Sequence, residues 1–358
     1  MSKLIKNAEN KEEAIAIAEL GTTYKRTGFH FDKKLEKIGS TIKYFKKNSE
    51  LSFCQNEHSK THKLIIGDNY DALLNLSISY NGKIDVIYID PPYGKDDMGE
   101  FADTNYNNAI TRDNLLSMLY PRLVLAKQLL SDEGVIFCSI DDKNQAYIKC
   151  LFDEVFGEKN CLTFISRATG TPTGGGFEGF VNEADYLLVY AKYIENVSIN
   201  GLTMTEKDSK IYDQEDESGR YLIRPLRRTG GEDRREDRPT MYYPLTAPDG
   251  TKIYPKGPTG YDSRWICSED KAKELNDSNL LLWKKIKKNN EFQWQVYQKF
   301  YLDNRTKKPG NLWTDIEGNK KATRELREIF NNEKIFLFPK PVDLLNFCIS
   351  ILDRKCTW

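Results

Sequence analysis

One run constrains this chain more than any other: Asp85-Val-Ile-Tyr-Ile-Asp90-Pro91-Pro92-Tyr93, a largely apolar strand that ends abruptly in an acid, two prolines and an aromatic. Proline fixes its own φ and has no N–H to donate, so no sheet ladder continues through positions 91 and 92. From about 64 to 192 apolar runs alternate with helical periodicity, the pattern of a mostly parallel α/β sheet. Strands fit residues 63–66, 84–89, 134–140 and 186–190. A helix over about 112–130 puts Leu115, Leu116, Leu119, Leu123, Ala126 and Leu130 on one face, and another over about 144–156 stops at Gly157.

The flanks read differently. Residues 1–60 are rich in Lys, Glu and Ala, and apolar positions at Ala14, Ile15, Ile17 and Ala18, then Leu35, Ile38, Ile42 and Phe45, suit two short amphipathic helices. From about 195 the chain turns polar, aromatic and Pro-rich (Pro225, Pro239, Pro244, Pro248, Pro255, Pro258, Pro309), which suits a separate domain of short strands and loops. The last segment returns to an apolar strand, a Pro-bounded turn and a short helix expected to rejoin the first domain. The expected boundaries are a helical extension at 1–60, a catalytic half at 61–194, a second domain at 195–332 and the returning segment at 333–358. A chain of 358 residues with 39% hydrophobic content can bury one sizeable core and carry that smaller domain.

Lys and Arg number 53 and Asp and Glu 53, so a polyanion site has to be a local patch. Seven cysteines without close Cys-x-x-Cys pairs suit a reducing cytoplasm. No stretch approaches the roughly 18 consecutive apolar residues of a membrane span, and the first residues lack a signal-peptide core. A soluble chain with no membrane partner is expected.

In an open α/β sheet, ligands bind at the carboxyl ends of the strands. At that place, Asp90 and the carbonyl of Pro91 are acceptors on a stiff corner. Such a pair can grip both hydrogens of an exocyclic amine, pushing its nitrogen toward a tetrahedral, nucleophilic geometry. Tyr93 would stack on a base swung out of a duplex and hold that nitrogen in line with an electrophilic methyl group. The bland alternative is a rigid strand-ending turn with a surface aromatic, and the tetrapeptide alone does not choose.

The surroundings do. Asp90-Pro91-Pro92-Tyr93 matches the D-P-P-Y motif of the DNA amino-methyltransferases at all four positions. Leu64-Ile-Ile-Gly67-Asp68-Asn69 upstream, then Leu119-Tyr-Pro-Arg-Leu-Val-Leu-Ala126, Gly134-Val-Ile-Phe-Cys-Ser-Ile-Asp-Asp142 and Phe152-Asp-Glu-Val-Phe-Gly157, follow in the order of the permuted type with its catalytic half first. The chain most resembles the modification subunits of type III restriction systems. Arg235-Glu-Asp-Arg-Pro-Thr-Met-Tyr-Tyr-Pro244, Pro248-Asp-Gly250 and Asn311-Leu-Trp-Thr-Asp-Ile316 look like their recognition domain, and Phe338-Pro-Lys-Pro341 like the segment that meets the methionine end of S-adenosylmethionine.

That resemblance implies an α/β, Rossmann-like methyltransferase sheet, truncated at its C-terminal part, with an inserted mixed α+β target-recognition domain. It implies Asp90, Pro91, Pro92 and Tyr93 as catalytic, and Asp68, Asp90, Phe338, Lys340 and Pro341 at S-adenosylmethionine; Asp68 also reads as a plain helix cap. It implies double-stranded DNA, a second copy and a restriction subunit as partners. The Phe-x-Gly-x-Gly loop that closes the cofactor site in this family does not occur before Trp358. A fragment of a longer chain, a frameshifted product and half of a split enzyme all fit. Adenine is favoured over cytosine because cytosine enzymes more often carry Ser at the position of Asp90.

The stretch from Thr169 to Gly179 is glycine-rich but lacks the Lys-Ser/Thr of a phosphate loop, and reads as a lid over the base pocket or a linker. Arg220, Arg224, Arg227, Arg228, Arg234, Arg235 and Arg238 cluster among Glu232, Asp233, Glu236 and Asp237, followed by Tyr242, Tyr243, Tyr261 and Trp265; Lys307, Lys308 and Trp313 form a second group. A self-paired solvated loop would look like this, and so would a DNA-reading surface. Arg224, Arg227, Arg228, Arg234, Arg235, Tyr261, Trp265, Lys307 and Lys308 are the expected DNA contacts. Cys54, His58 and His62 share a helical spacing but offer zinc only three ligands, so no metal site is expected. Two functions stay open: methylation of the adenine 6-amino group, and binding of DNA or a partner without catalysis.

Overall fold

The structure is a computed structural model that describes residues 10–15, 43–53, 61–93, 112–169, 182–288, 291–303, 305–316, 318–333, 336 and 339–352. The chain divides into two compact units, one of Met1–Asn200 with Gly310–Trp358 and one of Gly201–Pro309.

In the first unit α1 (Asn69–Tyr80) leads into β1 (Ile84–Ile89), α2 (Arg112–Leu129), β2 (Leu130–Ile140), α3 (Gln145–Phe156), β3 (Cys161–Ala168) and β4 (Ala184–Ala191). After the second unit come a short strand, Leu312–Trp313, and helices α4 (Asn319–Ile329) and α5 (Val342–Ser350). The sheet order is β1-β2-β4-β3 and then Leu312–Trp313. β1 pairs β2 in parallel, β4 lies antiparallel between β2 and β3, and Leu312–Trp313 runs parallel to β3. The sheet is therefore mixed, where alternation of apolar runs and helices led us to expect a mostly parallel one. No described helix intervenes between β3 and β4, and antiparallel neighbours need no crossover.

β2 is the spine of the unit. Its last seven residues, from Gly134 to Ile140, are all buried, as expected of a strand covered on both faces. α2 contributes Leu115, Leu116, Leu119, Leu123 and Ala126 to the core, and α3 contributes Ile148, Leu151, Phe152 and Phe156. The spacing of that second set, three to four residues, is one stripe of a helix. Phe152 stacks on Phe156 at 5.4 Å and meets Tyr190 of β4 at 5.2 Å. α3 stops where expected, at Gly157 with φ 91°, a conformation that suits glycine. α5 covers the sheet through Leu344 and Cys348, and its Phe347 meets Trp313 edge-on at 4.6 Å. Asn200 N–H donates to the Ile351 carbonyl, which ties the end of this helix to the point where the chain leaves the unit.

One expected strand is absent. Residues 63–66 pair with no strand among the described residues, and Leu64 and Ile66 are 89% and 84% exposed. Apolar β-propensity makes a strand only when a neighbour supplies the hydrogen bonds, and none is described alongside. β1 is likewise an edge strand among the described residues. Of the two expected N-terminal helices, residues 11–15 are helical and residues 43–48 around Phe45 are not; the rest lies outside the described residues, as do Cys54, His58 and the glycines from 170 to 179.

The second unit holds a four-stranded antiparallel sheet built from β5 (Gln214–Asp216), β6 (Gly219–Pro225), β7 (Leu281–Lys288) and β8 (Glu291–Tyr301), in the order β7-β8-β6-β5. Leu226, Tyr243, Trp265, Ala272, Leu275, Leu281 and Val296 form its core, with Ala272 and Leu275 supplied by the helix Glu269–Asp277.

Candidate active site

The corner after β1 sits where the topology demands. In the β1–β2 register Ile89 lies opposite Cys138, so Asp90 falls beside Ser139, the next residue of the neighbouring parallel strand. Ser139 Oγ donates to Asp90 Oδ1 at 2.8 Å. The Lys340 ammonium reaches the same oxygen at 3.0 Å, with the lysine side chain 10% exposed and that of Asp90 34%. It also lies 4.7 Å from the centre of the Tyr93 ring, within reach of the electron-rich face of an aromatic. The corner thus presents one carboxylate and one ring to a shared point, and a cation already stands there. Asp90 is exposed, Pro91 is buried, and Pro92 and Tyr93 are half-buried.

The corner is braced from below. Buried Asn144, at the N-terminus of α3, donates from Nδ2 to the Tyr93 carbonyl at 2.5 Å and to Asp141 Oδ1 at 3.0 Å. Tyr93 packs against the core cluster of the unit. Its hydroxyl is buried without a hydrogen-bond partner among the described residues, and so is that of Tyr88. Burial, reinforced by the Asp90 carboxylate, pushes the Tyr93 hydroxyl well above its ordinary range, so the ring stays a neutral phenol.

Asp68 lies at the same end of the sheet. α1 has 12 residues and so spans about 18 Å, while the 6 residues of β1 span about 20 Å, and a short turn joins them. The start of α1 therefore returns to the level where β1 ends. Asp68 caps α1 by accepting from Tyr70 N–H at 2.8 Å. It is also held by Arg122, whose guanidinium reaches Asp68 Oδ1 at 3.2 Å, Asn69 Oδ1 at 2.6 Å and the Met118 carbonyl at 2.9 Å. Arg122 is 7% exposed. The Asp68 side chain is 40% exposed, so the carboxylate keeps a face toward solvent while its back is gripped.

Other expected cofactor residues fare differently. Phe338 lies outside the described residues. Pro341 is buried, and its carbonyl accepts from Leu344 N–H at 3.1 Å to start α5. Lys340 stands at the catalytic corner, on Asp90 and the Tyr93 ring.

In the second unit, Arg224, Arg228, Arg234, Arg235 and Lys308 are exposed and Tyr261 and Lys307 half-exposed. Arg235 covers the Tyr242 ring at 4.3 Å and Arg234 the Tyr261 ring at 5.0 Å. One expected contact is corrected. Trp265 is 3% exposed in the core, with its indole N–H donated to the Tyr243 carbonyl at 2.8 Å, so no base can stack on it. Arg227 is half-buried, bonded to the Arg228 carbonyl at 2.8 Å and to Asp233 at 3.5 Å. The residues that sequence reasoning did not single out are Ser139, Asn144 and Arg122. The strand register points to the first, and an arginine amid the apolar stripe of a helix could have signalled the last.

The profile of a family described as DNA methylase, of the N6 and N4 type, matches residues 84–355. That of an uncharacterised conserved protein family matches residues 2–85. The chain is 30% identical over 343 residues to the type II methyltransferase M.KpnI of Klebsiella pneumoniae, a match covering 90% of this chain and 78% of the relative. It is 29% identical to the type III restriction-modification enzyme EcoPI Mod subunit of Escherichia phage P1, over 84% of this chain and 53% of that subunit. The chain thus spans about half the length of the Mod subunit it matches. A crystal structure of an M1.HpyAVI–SAM complex aligns at 15% identity over 38% of this chain and 57% of that one, with a TM-score of 0.28, too low to bear on the fold.

Proposed function

This chain belongs to the N6/N4 DNA methylase family, and we propose that it transfers a methyl group from S-adenosylmethionine to the 6-amino group of adenine in double-stranded DNA, as the modification component of a restriction system. The observation that carries the reading is the shared point between the Asp90 carboxylate and the Tyr93 ring, occupied by an ammonium. An adenine amine becomes cationic as it takes up a methyl group, and a site that welcomes a cation between a carboxylate and a π face favours that change.

The residues fit the cofactor's charged end, because Asp68 and Asp90 are both carboxylates with an exposed face, suited to an ammonium and a sulfonium. When bound, S-adenosylmethionine supplies an electrophilic methyl group. Asp68, capped and gripped from behind, would hold the amino-acid end. Ser139 and Lys340 both engage Oδ1 of Asp90, which leaves Oδ2 to accept from the adenine amine. This carboxylate orients the amine and takes its proton as the nitrogen becomes cationic. Lys340 withdraws as the base enters, because both cannot occupy one point. The Tyr93 ring, fixed by the core beneath it and by Asn144 on its carbonyl, then stacks on the base.

The exposed arginines and Lys308 of the second unit would contact the duplex. A second copy and a restriction subunit would complete the assembly; the Mod relative is by name one subunit of a restriction-modification enzyme. The test is incubation of the purified chain with plasmid DNA and methyl-labelled S-adenosylmethionine, followed by digestion to nucleosides. Label in N6-methyladenine is expected. Label in N4-methylcytosine would assign the chemistry to cytosine, and DNA binding with neither label nor saturable cofactor binding in a calorimeter would favour a non-catalytic module.

A further inference from the structure

The second unit carries a basic, aromatic surface outside the arginine cluster. β7 reads Leu-Leu-Trp-Lys-Lys-Ile-Lys-Lys and pairs along its whole length with β8. In that register Trp283 faces Val296, Lys285 faces Trp294 and Lys287 faces Phe292. Side chains alternate along a strand, so these six share one face of the ribbon. At its root that face is core: Val296 is 1% exposed and Trp283 packs beside it. Midway, the Lys285 ammonium lies 4.8 Å from the Trp294 ring, and Asp249 accepts the Trp294 indole N–H at 2.6 Å. At the far end Lys287 is exposed and Phe292 is 71% exposed. An apolar face built to be covered thus runs out beyond the domain's own core and ends in an uncovered phenylalanine flanked by cations.

Lysines on an edge strand also keep sheets from pairing edge to edge. That role accounts for Lys285 and Lys287 but gives no reason for an exposed aromatic beside them. Duplex DNA accounts for both. Lysines contact phosphates, and an aromatic at the end of a β-ribbon can wedge into a base step, which opens when a nucleotide is extruded. Asp249 meets this face and holds Lys285 at 3.6 Å, and Lys287 is the cation opposite Phe292.

We propose that the β7–β8 ribbon is a DNA-gripping element, with Lys285 and Lys287 on the phosphate backbone and Phe292 stacked into a base step of the duplex. This rests on the chain being a DNA methylase and names the part of it that deforms its substrate. The experiment measures affinity for a mixed-sequence duplex by fluorescence anisotropy between 50 and 200 mM salt, roughly the range over which counterion release is read. The parent chain is compared with F292A, F292Y and the double variant K285Q/K287Q, each checked by thermal melting, with methyl transfer to plasmid DNA measured in parallel.

Removing one lysine–phosphate pair lowers the slope of log affinity against log salt by about 0.9, so the double variant is expected to lose about 2 from the parent slope. F292A is expected to bind about five- to a hundredfold more weakly at an unchanged slope, and F292Y to recover most of that loss. A parent that methylates DNA while the double variant keeps its slope and F292A its affinity overturns the ribbon assignment and leaves the methylase reading intact. A parent that neither binds nor methylates DNA overturns both.

Discussion

Replacing Arg122 tests how the α1 end of the site is held. The guanidinium is 7% exposed and bonds Asn69, Asp68 and the Met118 carbonyl at 2.6, 3.2 and 2.9 Å. A hydrogen bond to a charged group contributes about 1.5–3 kcal/mol when its partner stays buried. Asp68 is 40% exposed and can rehydrate, which discounts its share, and a methionine refills most of the volume. Arg122→Met should therefore cost about 2–4 kcal/mol. At about 2–4 °C per kcal/mol for a unit of this size, the first transition should fall by about 4–16 °C in a melt followed by circular dichroism. Arg122→Lys keeps the charge but loses the fork, and should fall by about half as much. Well below the transition, where both variants are folded, cofactor affinity measured by calorimetry should still be weaker for Arg122→Met, because Asp68 is no longer aimed. A melting temperature within about 1 °C of the parent would refute the reasoning, since an arginine this buried cannot be lost silently if its bonds are as described.

Three further outcomes follow from the same geometry. Ser139→Ala removes a donor from Asp90 and should slow methyl transfer by about five- to tenfold, the worth of one hydrogen bond of about 1–1.5 kcal/mol, while DNA affinity holds. Phe152→Ala empties a fully buried site between Phe156 and Tyr190 and should destabilise the first unit by about 3–5 kcal/mol in denaturant titration. The indole N–H of Trp294 and then Thr251 hold the Asp249 carboxyl down at about 2 from its ordinary 3.8. A depressed acid stabilises the fold above its unfolded value and loses that contribution as the pH falls toward its folded value. Trp294 fluorescence should accordingly change between about pH 4 and 2, and Asp249→Asn should flatten that change.

Much of the first unit could be read from local pattern. β1, α2 and α3 follow from apolar spacing, because each buries one stripe or run whatever the rest of the molecule does. The run 63–66 has the same composition as a strand and is not one, since pairing depends on a neighbour that residues 63–66 do not encode. The mixed sheet was equally hidden: β4 inserts between β2 and β3, a choice of topology and not of residue type. At the site, Asp90 and Tyr93 stood out because two prolines isolate them. Ser139, Asn144 and Arg122 did not, because each acts across the fold, on residues 49, 51 and 54 positions away. Trp265 misled because an aromatic beside arginines looks the same in sequence whether it faces a ligand or fills a core.

The central claim concerns one carboxylate, and a single-turnover comparison of the parent with Asp90→Ala tests it most directly. With cofactor and plasmid DNA both saturating, the account expects methyl transfer to fall at least about a hundredfold, since the acceptor that turns the amine into a nucleophile is gone, with DNA affinity unchanged within about threefold. Transfer at the parental rate by a folded Asp90→Ala chain would contradict it.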